Sequence, residues 1–497
     1  MNFNYVKALN NFTPSQKKIW DQLVGTPGSG WKVFILKGYA GTGKTYLIDS
    51  LCNYFSLNKV PTKLMAPTGR AAKILKTKTN KRAYTIHKTL YVMNDIEEYQ
   101  KELKNKEDTF KYLFKLRNND DDANCIYIVD EASMISDEYS EEEFFRFGSG
   151  FLLKDLIEYV DINNPALNRK IIFVGDDAQL PPVNSNASSA LSQKYLMNNY
   201  NIHSEVGELT DIVRQLEASG IVKNSLNLRK NINSRLYSHF YINPNYPDIE
   251  LLKPENVNKF YVEKNKETGF ENIIIICRTN RAVKDYNNGV RELIFGNDKA
   301  INVGDRILVV ANSYNRQIEL LNGDFGIITE VSPSTEIIKT LVVKNKERII
   351  VENEFRDVVI RFLDFNNIEV EIPCKIFENL LNSDKPNLST NETRAIYIDF
   401  KIRHPELKPK SQEFKDVLKT DPYFNALRIK YGYAVTCHKA QGGEWKNAII
   451  DFYTQSGILN TEYFRWSYTA LTRAKEKAYI VNAIEYKKDI ELVESCT

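Results

Sequence analysis

One eight-residue stretch constrains this chain more than any other: Gly38-Tyr39-Ala40-Gly41-Thr42-Gly43-Lys44-Thr45. It fits the pattern G-x-x-x-x-G-K-[ST], whose glycines let backbone N–H groups close around phosphate oxygens at a helix N-terminus. The flanking sequence agrees with that reading. Val33-Phe34-Ile35-Leu36 reads as a buried strand feeding the loop, and Thr45 to Phe55 as the helix leaving it. Gly38, Ala40, Gly41, Thr42 and Gly43 form the cradle, Lys44 reaches the β- and γ-phosphates, and the Thr45 hydroxyl binds magnesium. The implied ligand is a nucleoside triphosphate with Mg2+.

Downstream, Cys125-Ile126-Tyr127-Ile128-Val129 is a short apolar run ending in Asp130-Glu131. Carboxylates at the tip of a buried strand sit where an α/β sheet places ligand-facing groups. Asp130 suits a magnesium ligand and Glu131 the base that orients and deprotonates water, which favours hydrolysis over transfer to an acceptor. A further strand, Lys170 to Val174, runs into Gly175-Asp176-Asp177-Ala178-Gln179, where Gln179 suits a sensor of the γ-phosphate or the lytic water. Near the N-terminus, Thr13-Pro14-Ser15-Gln16 reads first as a capping box, with Thr at the N-cap and Gln at N3.

Bulk properties narrow the class. A chain of 497 residues exceeds one core and suggests three or four domains. No apolar run approaches the ~20 residues that span a bilayer, and the N-terminus lacks the basic-then-apolar layout of a secretory signal. The six cysteines are scattered with no metal-ligand spacing, so a reducing, cytoplasmic setting without zinc is expected. A net charge of +3 is too small to argue for a polyanionic partner. That case rests on placed residues.

Taken in order, ten segments resemble superfamily 1 DNA helicases of the RecD-like and Dda-type group. They are FTPSQ (12–16), GYAGTGKT (38–45), APTGRAA (66–72), TIH (85–87), DEAS (130–133), GDDAQLPP (175–182), LTDIVRQ (209–215), NGDFG (322–326), YAVTCHKAQGGEW (433–445) and YTALTRAKE (468–476). The resemblance implies an α/β fold of two tandem RecA-like P-loop domains with ATP between them. It makes Arg214 and Arg473 the arginines that reach the γ-phosphate from the second domain, and puts Gln441, Gly442 and Glu444 near the ribose and phosphates. Gln16 gains an adenine contact. Pro67, Thr68, Arg70, His87, Thr436 and His438 become contacts to a DNA backbone. Asp177, where relatives carry proline, and Ala440, where they often carry serine, are expected to alter loop stiffness without charge chemistry.

The implied organisation is a first RecA-like domain over 1–205, a second over 206–300 plus 431–497, and an inserted SH3-like barrel with a tower or hook over 301–430. Residues 88–122, charge-rich with interspersed aromatics, follow TIH where relatives carry a pin hairpin; Phe110 or a neighbour is the expected wedge at a single-strand/duplex junction. The expectation is an ATP-dependent helicase that acts as a monomer, tracks single-stranded DNA 5′→3′, and parts the duplex without a membrane. Two alternatives stay open: an RNA-directed or nucleoprotein-remodelling ATPase, whose backbone contacts would scarcely exclude a 2′-hydroxyl, and a non-catalytic ATP-gated clamp.

Overall fold

Uninterrupted apolar runs of four or more residues mark strands covered on both faces, and in this chain most of them lie inside two parallel sheets. The computed structural model describes residues 10–482 apart from 26–29, 101–109, 142–144, 183–184, 186, 214–217, 238–239, 299, 314–318, 345–346, 365, 409–410 and 455–458. In the first lobe the strands are β1 (Val33–Gly38), β2 (Thr62–Ala66), β3 (Ala83–Thr85), β4 (Tyr91–Gln100), β5 (Phe110–Leu116), β6 (Ile126–Val129), β7 (Phe145–Phe147), β8 (Lys170–Gly175) and β9 (Ser204–Leu209). Six of them form a parallel sheet ordered β3-β2-β6-β8-β1-β9. Helices cover both faces; Leu152–Val160, with its apolar residues on one side, is one.

β9 lies at the sheet edge and pairs with β1 from Ser204 to Leu209, so the first lobe runs past the boundary at 205 that the sequence suggests. Its Ser-Glu-Val-Gly-Glu-Leu sequence lacks an apolar run, and only Gly207 and Leu209 are buried. The second lobe repeats the architecture with β10 (Ile249–Leu251), β11 (Ile273–Cys277), β18 (Ala434–Thr436), β19 (Trp445–Asp451) and β20 (Ala474–Val481), ordered β10-β20-β19-β11-β18. All pairings are parallel. The result is a mixed α/β molecule with tandem RecA-like lobes.

Between β11 and β18 the chain leaves this sheet to build an antiparallel one from β12 (Arg306–Val309), β13 (Phe325–Val331), β14 (Glu336–Lys344), β15 (Glu347–Leu363), β16 (Glu369–Phe377) and β17 (Ile429–Tyr431). The 17 residues of β15 pair with β14 over the first half, and with β13 and β16 over the second. A bridge between Ile376 and Leu427 brings the end of β16 next to β17, which pairs with β12, so the strands close on themselves. β17 ends at Tyr431, one residue beyond the expected limit of the insertion.

β4 and β5 pair antiparallel as a hairpin directly after the TIH segment, and β7 adds a third strand. Phe114 stacks on Phe147 at 4.8 Å and lies 5.6 Å from Phe145, anchoring the hairpin root. Phe145 also packs on a small cluster made by Phe400, Leu407, Phe414 and Leu418 of the inserted helices Thr390–Arg403 and Gln412–Thr420 and the turn between them. The hairpin root is therefore buttressed from a segment nearly 300 residues away in sequence. Phe110 is the first residue of β5, opposite Gln100; its side chain lies outside the described residues.

Candidate active site and nucleic-acid interface

The P-loop leaves the C-terminal end of β1, between β8 and β9, and enters the helix Lys44–Leu57. Gly43 caps that helix at φ +77°, and a Cβ there would stand 2.5 Å from Gln16 Nε2, so glycine is needed for both backbone and space. The capping box at the N-terminal helix is present: Gln16 N–H donates to Thr13 Oγ1, and Thr13 N–H donates to Gln16 Oε1. Gln16 Nε2 also donates to Thr42 O at 3.0 Å, so this buried amide braces the phosphate loop. The Thr42 hydroxyl donates to Tyr39 O, and Lys44 Nζ donates to Gly38 O at 2.7 Å and Tyr39 O at 3.3 Å.

Asp130 and Glu131 follow β6, two strands from the P-loop strand in the sheet. Burial, reinforced by the adjacent Glu131 charge, pushes the Asp130 carboxyl up to about 6, while Lys44 and Lys78 pull against that rise. A buried carboxylate held short of full charge compensation suits a cation ligand. Thr45 stands on the first turn of the P-loop helix. One carboxylate and one hydroxyl suit magnesium, an ion that takes one or two carboxylates and completes its shell from phosphates and water. Glu131 adopts the left-handed region at φ +51°, a costly conformation for a non-glycine residue that clusters at functional sites. Gln179 is 5% exposed and its Oε1 is buried without a partner among the described residues.

The second lobe meets this site through the helix Thr461–Leu471. Tyr468 OH donates to Asp176 Oδ2 and accepts from Ala40 N–H at 3.3 Å. Thr469 Oγ1 accepts from Leu180 N–H at 2.8 Å, and Gln441 Nε2 donates to Leu180 O at 2.9 Å. Arg473 is buried just beyond this helix; its guanidinium donates to Thr469 O, Gly443 O and Thr472 Oγ1, all within its own lobe. Arg214 lies outside the described residues. Glu444 bridges the lobes by pairing with Lys78 at 3.1 Å and Lys475 at 3.0 Å, and these two cations pull its carboxyl down to about 2 against burial.

Asp177 corrects one expectation. It carries charge chemistry: Lys37 lies 3.1 Å away and Arg229 3.0 Å. Lys37, the penultimate residue of β1, lies directly opposite Gly175 at the end of β8, so the two strand tips bring these charges together. Arg229, from the helix Gly220–Ser234, also holds Asp176 at 2.7 Å and Glu208 at 3.1 Å, with its guanidinium 5.1 Å from the Tyr39 ring centre.

A cavity of about 360 Å³ opens where the two lobes and the inserted sheet converge. Pro67, Thr68, Gly69, Arg70, Thr85 and His87 line it from the first lobe, Asn312 and Leu321–Gly323 from the insertion, and His438, Lys439 and Gln441 from the second lobe. Three strand-to-helix corners recur around it. Thr68, Thr85 and Thr436 each follow a strand and cap the next helix, accepting from Ala71, Lys88 and Lys439 N–H. Each hydroxyl keeps its proton free to donate outward. Thr436 is not among the lining residues; it caps the short helix that carries His438. Gly442, at φ +70°, packs against Thr68 and Ala71 so closely that a Cβ would come within 3.1 Å of both.

Arg70 stacks 4.0 Å from the Trp445 ring centre and 5.2 Å from Phe325, tying the first lobe to the other two parts as well as lining the cavity. Burial lowers its guanidinium to about 10. Burial likewise holds His87 at about 4 and lowers His438, so both imidazoles are neutral near pH 7. His87 packs edge-on to Phe147 at 5.1 Å, joining the cavity to the hairpin root.

Residues 24–185 match the family model described as an AAA domain, and residues 431–481 match that of the UvrD-like helicase C-terminal domain. The ATP-dependent DNA helicase Dda of Enterobacteria phage T4 is 26% identical over 283 residues, covering 55% of this chain and 55% of that protein. By these matches the chain is similar to helicases of the Pif1, RecD and Dda type. An uncharacterized protein, R530, of Acanthamoeba polyphaga mimivirus is 25% identical over 498 residues, covering 90% of this chain and 94% of that one. A structure of two coordinating Pif1 helicases at forked double-stranded DNA aligns with a TM-score of 0.47 at 15% identity, over 96% of this chain and 93% of that one.

Sequence reading missed several residues of this site. Tyr468, Thr469 and Lys439 stand inside segments it singled out, and a polar side chain beside an assigned one was the available signal. Arg229 belongs to no such segment, and its helix reads as an ordinary surface element. The histidine geometry fixes a pH response. A group held at about 4 in the fold and 6.5 when unfolded binds more protons in the unfolded chain. His87 therefore contributes stability in full above pH 6.5 and loses it progressively as pH falls towards 4. Chemical-denaturation midpoints across that window should drop less steeply for His87→Asn than for the parent; identical slopes would refute the assignment.

Proposed function

We propose that this chain is an ATP-dependent DNA helicase that moves 5′→3′ along a single strand and unwinds the duplex ahead. The observation that carries the reading is Gln441: one amide bonds the Leu180 carbonyl beside Gln179 and also lines the cavity between the lobes. A side chain shared by the nucleotide side and the track side is the simplest mechanical link between them.

In this mechanism Lys44 leaves the Gly38 and Tyr39 carbonyls for the β- and γ-phosphates, and the P-loop N–H groups take the remaining phosphate oxygens. Thr45 and Asp130 hold magnesium, which neutralises phosphate charge when bound. Glu131 orients the lytic water and accepts its proton, and Gln179, whose carbonyl oxygen has no protein partner, helps to place that water. Arg473 exchanges its bonds to Gly443 and Thr472 for the γ-phosphate as the lobes close, and Arg214 joins it from the same side. Gln16 steadies the loop and faces the adenine; Gly442 and Glu444 transmit closure to the first lobe.

On the track, the Pro67–Arg70 corner and His87 form one grip, with Thr436 and His438 forming the other. These are neutral donors apart from Arg70, whose charge is stacked on rings. Such groups hold a phosphate backbone without reading bases. The β4–β5 hairpin rises next to His87 and serves as the strand-separating pin, with Phe110 as the wedge.

Glu131→Gln should bind ATP as the parent does while losing at least about 100-fold in turnover, read by single-strand-stimulated phosphate release; unchanged turnover would remove Glu131 from the role. On tailed duplexes, displacement should occur from 5′ DNA tails and fail from 3′ tails, and RNA tails should stimulate less. Unwinding from 3′ tails alone would reverse the polarity, and equal stimulation by RNA would favour an RNA-directed motor. Removing residues 97–112 spares the Phe114 anchor, and should abolish strand displacement while leaving DNA-stimulated hydrolysis intact. Parallel loss of both activities counts against the pin.

A further inference from the structure

The hydroxyl of Tyr468 stands at a junction that none of the roles above uses. It accepts from Ala40 N–H of the phosphate loop and donates to Asp176 Oδ2 at the tip of β8. Both Tyr468 and Asp176 are completely buried. The other Asp176 oxygen is held by Arg229 at 2.7 Å and by Ala178 N–H at 3.1 Å. The next residue, Thr469, accepts from Leu180 N–H through its side chain, and its carbonyl accepts from Arg473 Nε at 3.0 Å. Two adjacent residues of one helix thus touch the phosphate loop, the β8 loop and the seat of the candidate arginine.

A hydroxyl has one proton to donate and lone pairs to accept. Burial, followed by the Asp176 charge, holds the Tyr468 phenol well above its ordinary range, so it stays protonated and keeps donating to Asp176. Its acceptor side is what Ala40 N–H uses, and a phosphate-cradling loop offers that same N–H to its ligand.

Resting on the reading of Gly38–Thr45 as an ATP site, we infer that Tyr468 is a positioning residue linking phosphate binding to the placement of Arg473. A triphosphate oxygen and the Tyr468 hydroxyl compete for Ala40 N–H. When phosphate wins, the hydroxyl retains its bond to Asp176, and the helix Thr461–Leu471 stays registered on the β8 loop through Tyr468 and Thr469 while the phosphate side is released. The acceptor bond therefore opposes ATP binding, and the donor bond supports the arrangement in which Arg473 acts.

These two bonds give opposite kinetic signatures. Tyr468→Phe keeps the ring and removes both bonds. DNA-stimulated hydrolysis should show a KM for ATP that is unchanged or lower, with kcat down by about 10-fold or more. Asp176→Asn, which weakens that bond together with the Arg229 pair, should lower kcat at least as much, and adding Tyr468→Phe to it should cost little more, because both act on the Tyr468–Asp176 bond. Thermal melting checks that each variant is folded; if Tyr468→Phe is not, Asp176→Asn alone must show the split. A raised KM with kcat within 2-fold, unchanged values of both constants, or independent multiplication of the two defects would each overturn the inference. Lys44→Ala separates this from the underlying reading. If the parent lacks ATPase activity, or Lys44→Ala retains it, the ATP site itself is wrong; an active parent, an inactive Lys44→Ala and a parent-like Tyr468→Phe defeat only the role of Tyr468.

Discussion

A carboxylate with no solvent exposure has to find its counter-charges within the protein, and Asp176 finds them on the other lobe. Arg229 arrives from the helix Gly220–Ser234 and Tyr468 from the helix Thr461–Leu471, two elements that pack against each other beside the second sheet. Only when both are seated at the tip of β8 is the Asp176 charge satisfied. Leaving a partner of such a pair unmatched typically costs about 3–5 kcal/mol. Lys37, Asp177 and Glu208 extend the same network to β1 and β9. The relative placement of the lobes at the phosphate loop is therefore set by hydrogen-bond and charge geometry, which is directional, more than by apolar contact, which is not.

The cavity side is built by different means. Each corner is a strand followed by a threonine cap and a helix, so a hydroxyl and the next helix N-terminus point the same way at Thr68, Thr85 and Thr436. His87, kept neutral by its surroundings, adds an N–H donor without adding charge. Lys439, lowered to about 8 chiefly by burial and bonded to Asn322, is the lysine lining the cavity. Polyanion affinity scales with the number of phosphates neutralised. A track that must be released at every step is better served by such donors than by a dense row of cations.

The parts of the molecule legible in the sequence share one property: their signal is local. The P-loop, the Asp130-Glu131 strand tip, the Thr13–Gln16 cap and the buried runs Val33–Leu36 and Ile273–Cys277 each declare themselves within a few residues. What stayed hidden depends on partners far apart in the chain. Arg229 becomes a lobe contact only because Asp176 and Tyr39 happen to face it, and Asp177 became an ion-pair member only because Lys37 lies near the tip of the neighbouring strand. β9 escaped the first-lobe boundary for a related reason. This edge strand carries Glu205, Gly207 and Glu208 and no apolar run, and its identity comes from pairing with β1 rather than from its own residues.

The two halves of the site also differ in how much rearrangement they tolerate. Around the phosphate loop several donors already have acceptors: Lys44 rests on carbonyls, Ala40 N–H on Tyr468, and Arg473 on Gly443 and Thr472. At these groups a triphosphate must exchange one bond for another, which keeps the net gain per contact modest and makes the outcome sensitive to geometry. Gln179 breaks the pattern, since its buried carbonyl oxygen has no partner. An unsatisfied acceptor beside a backbone carbonyl clamped by Gln441, and a backbone N–H clamped by Thr469, is poised to respond when any neighbour shifts. Because Gln441 reaches the cavity as well, a change at Gln179 has a short covalent and hydrogen-bonded path to the track: Leu180 to Gln441, then the adjoining turn to Gly442 packed on Thr68. That path uses no mobile loop and no long-range field, only groups already in contact.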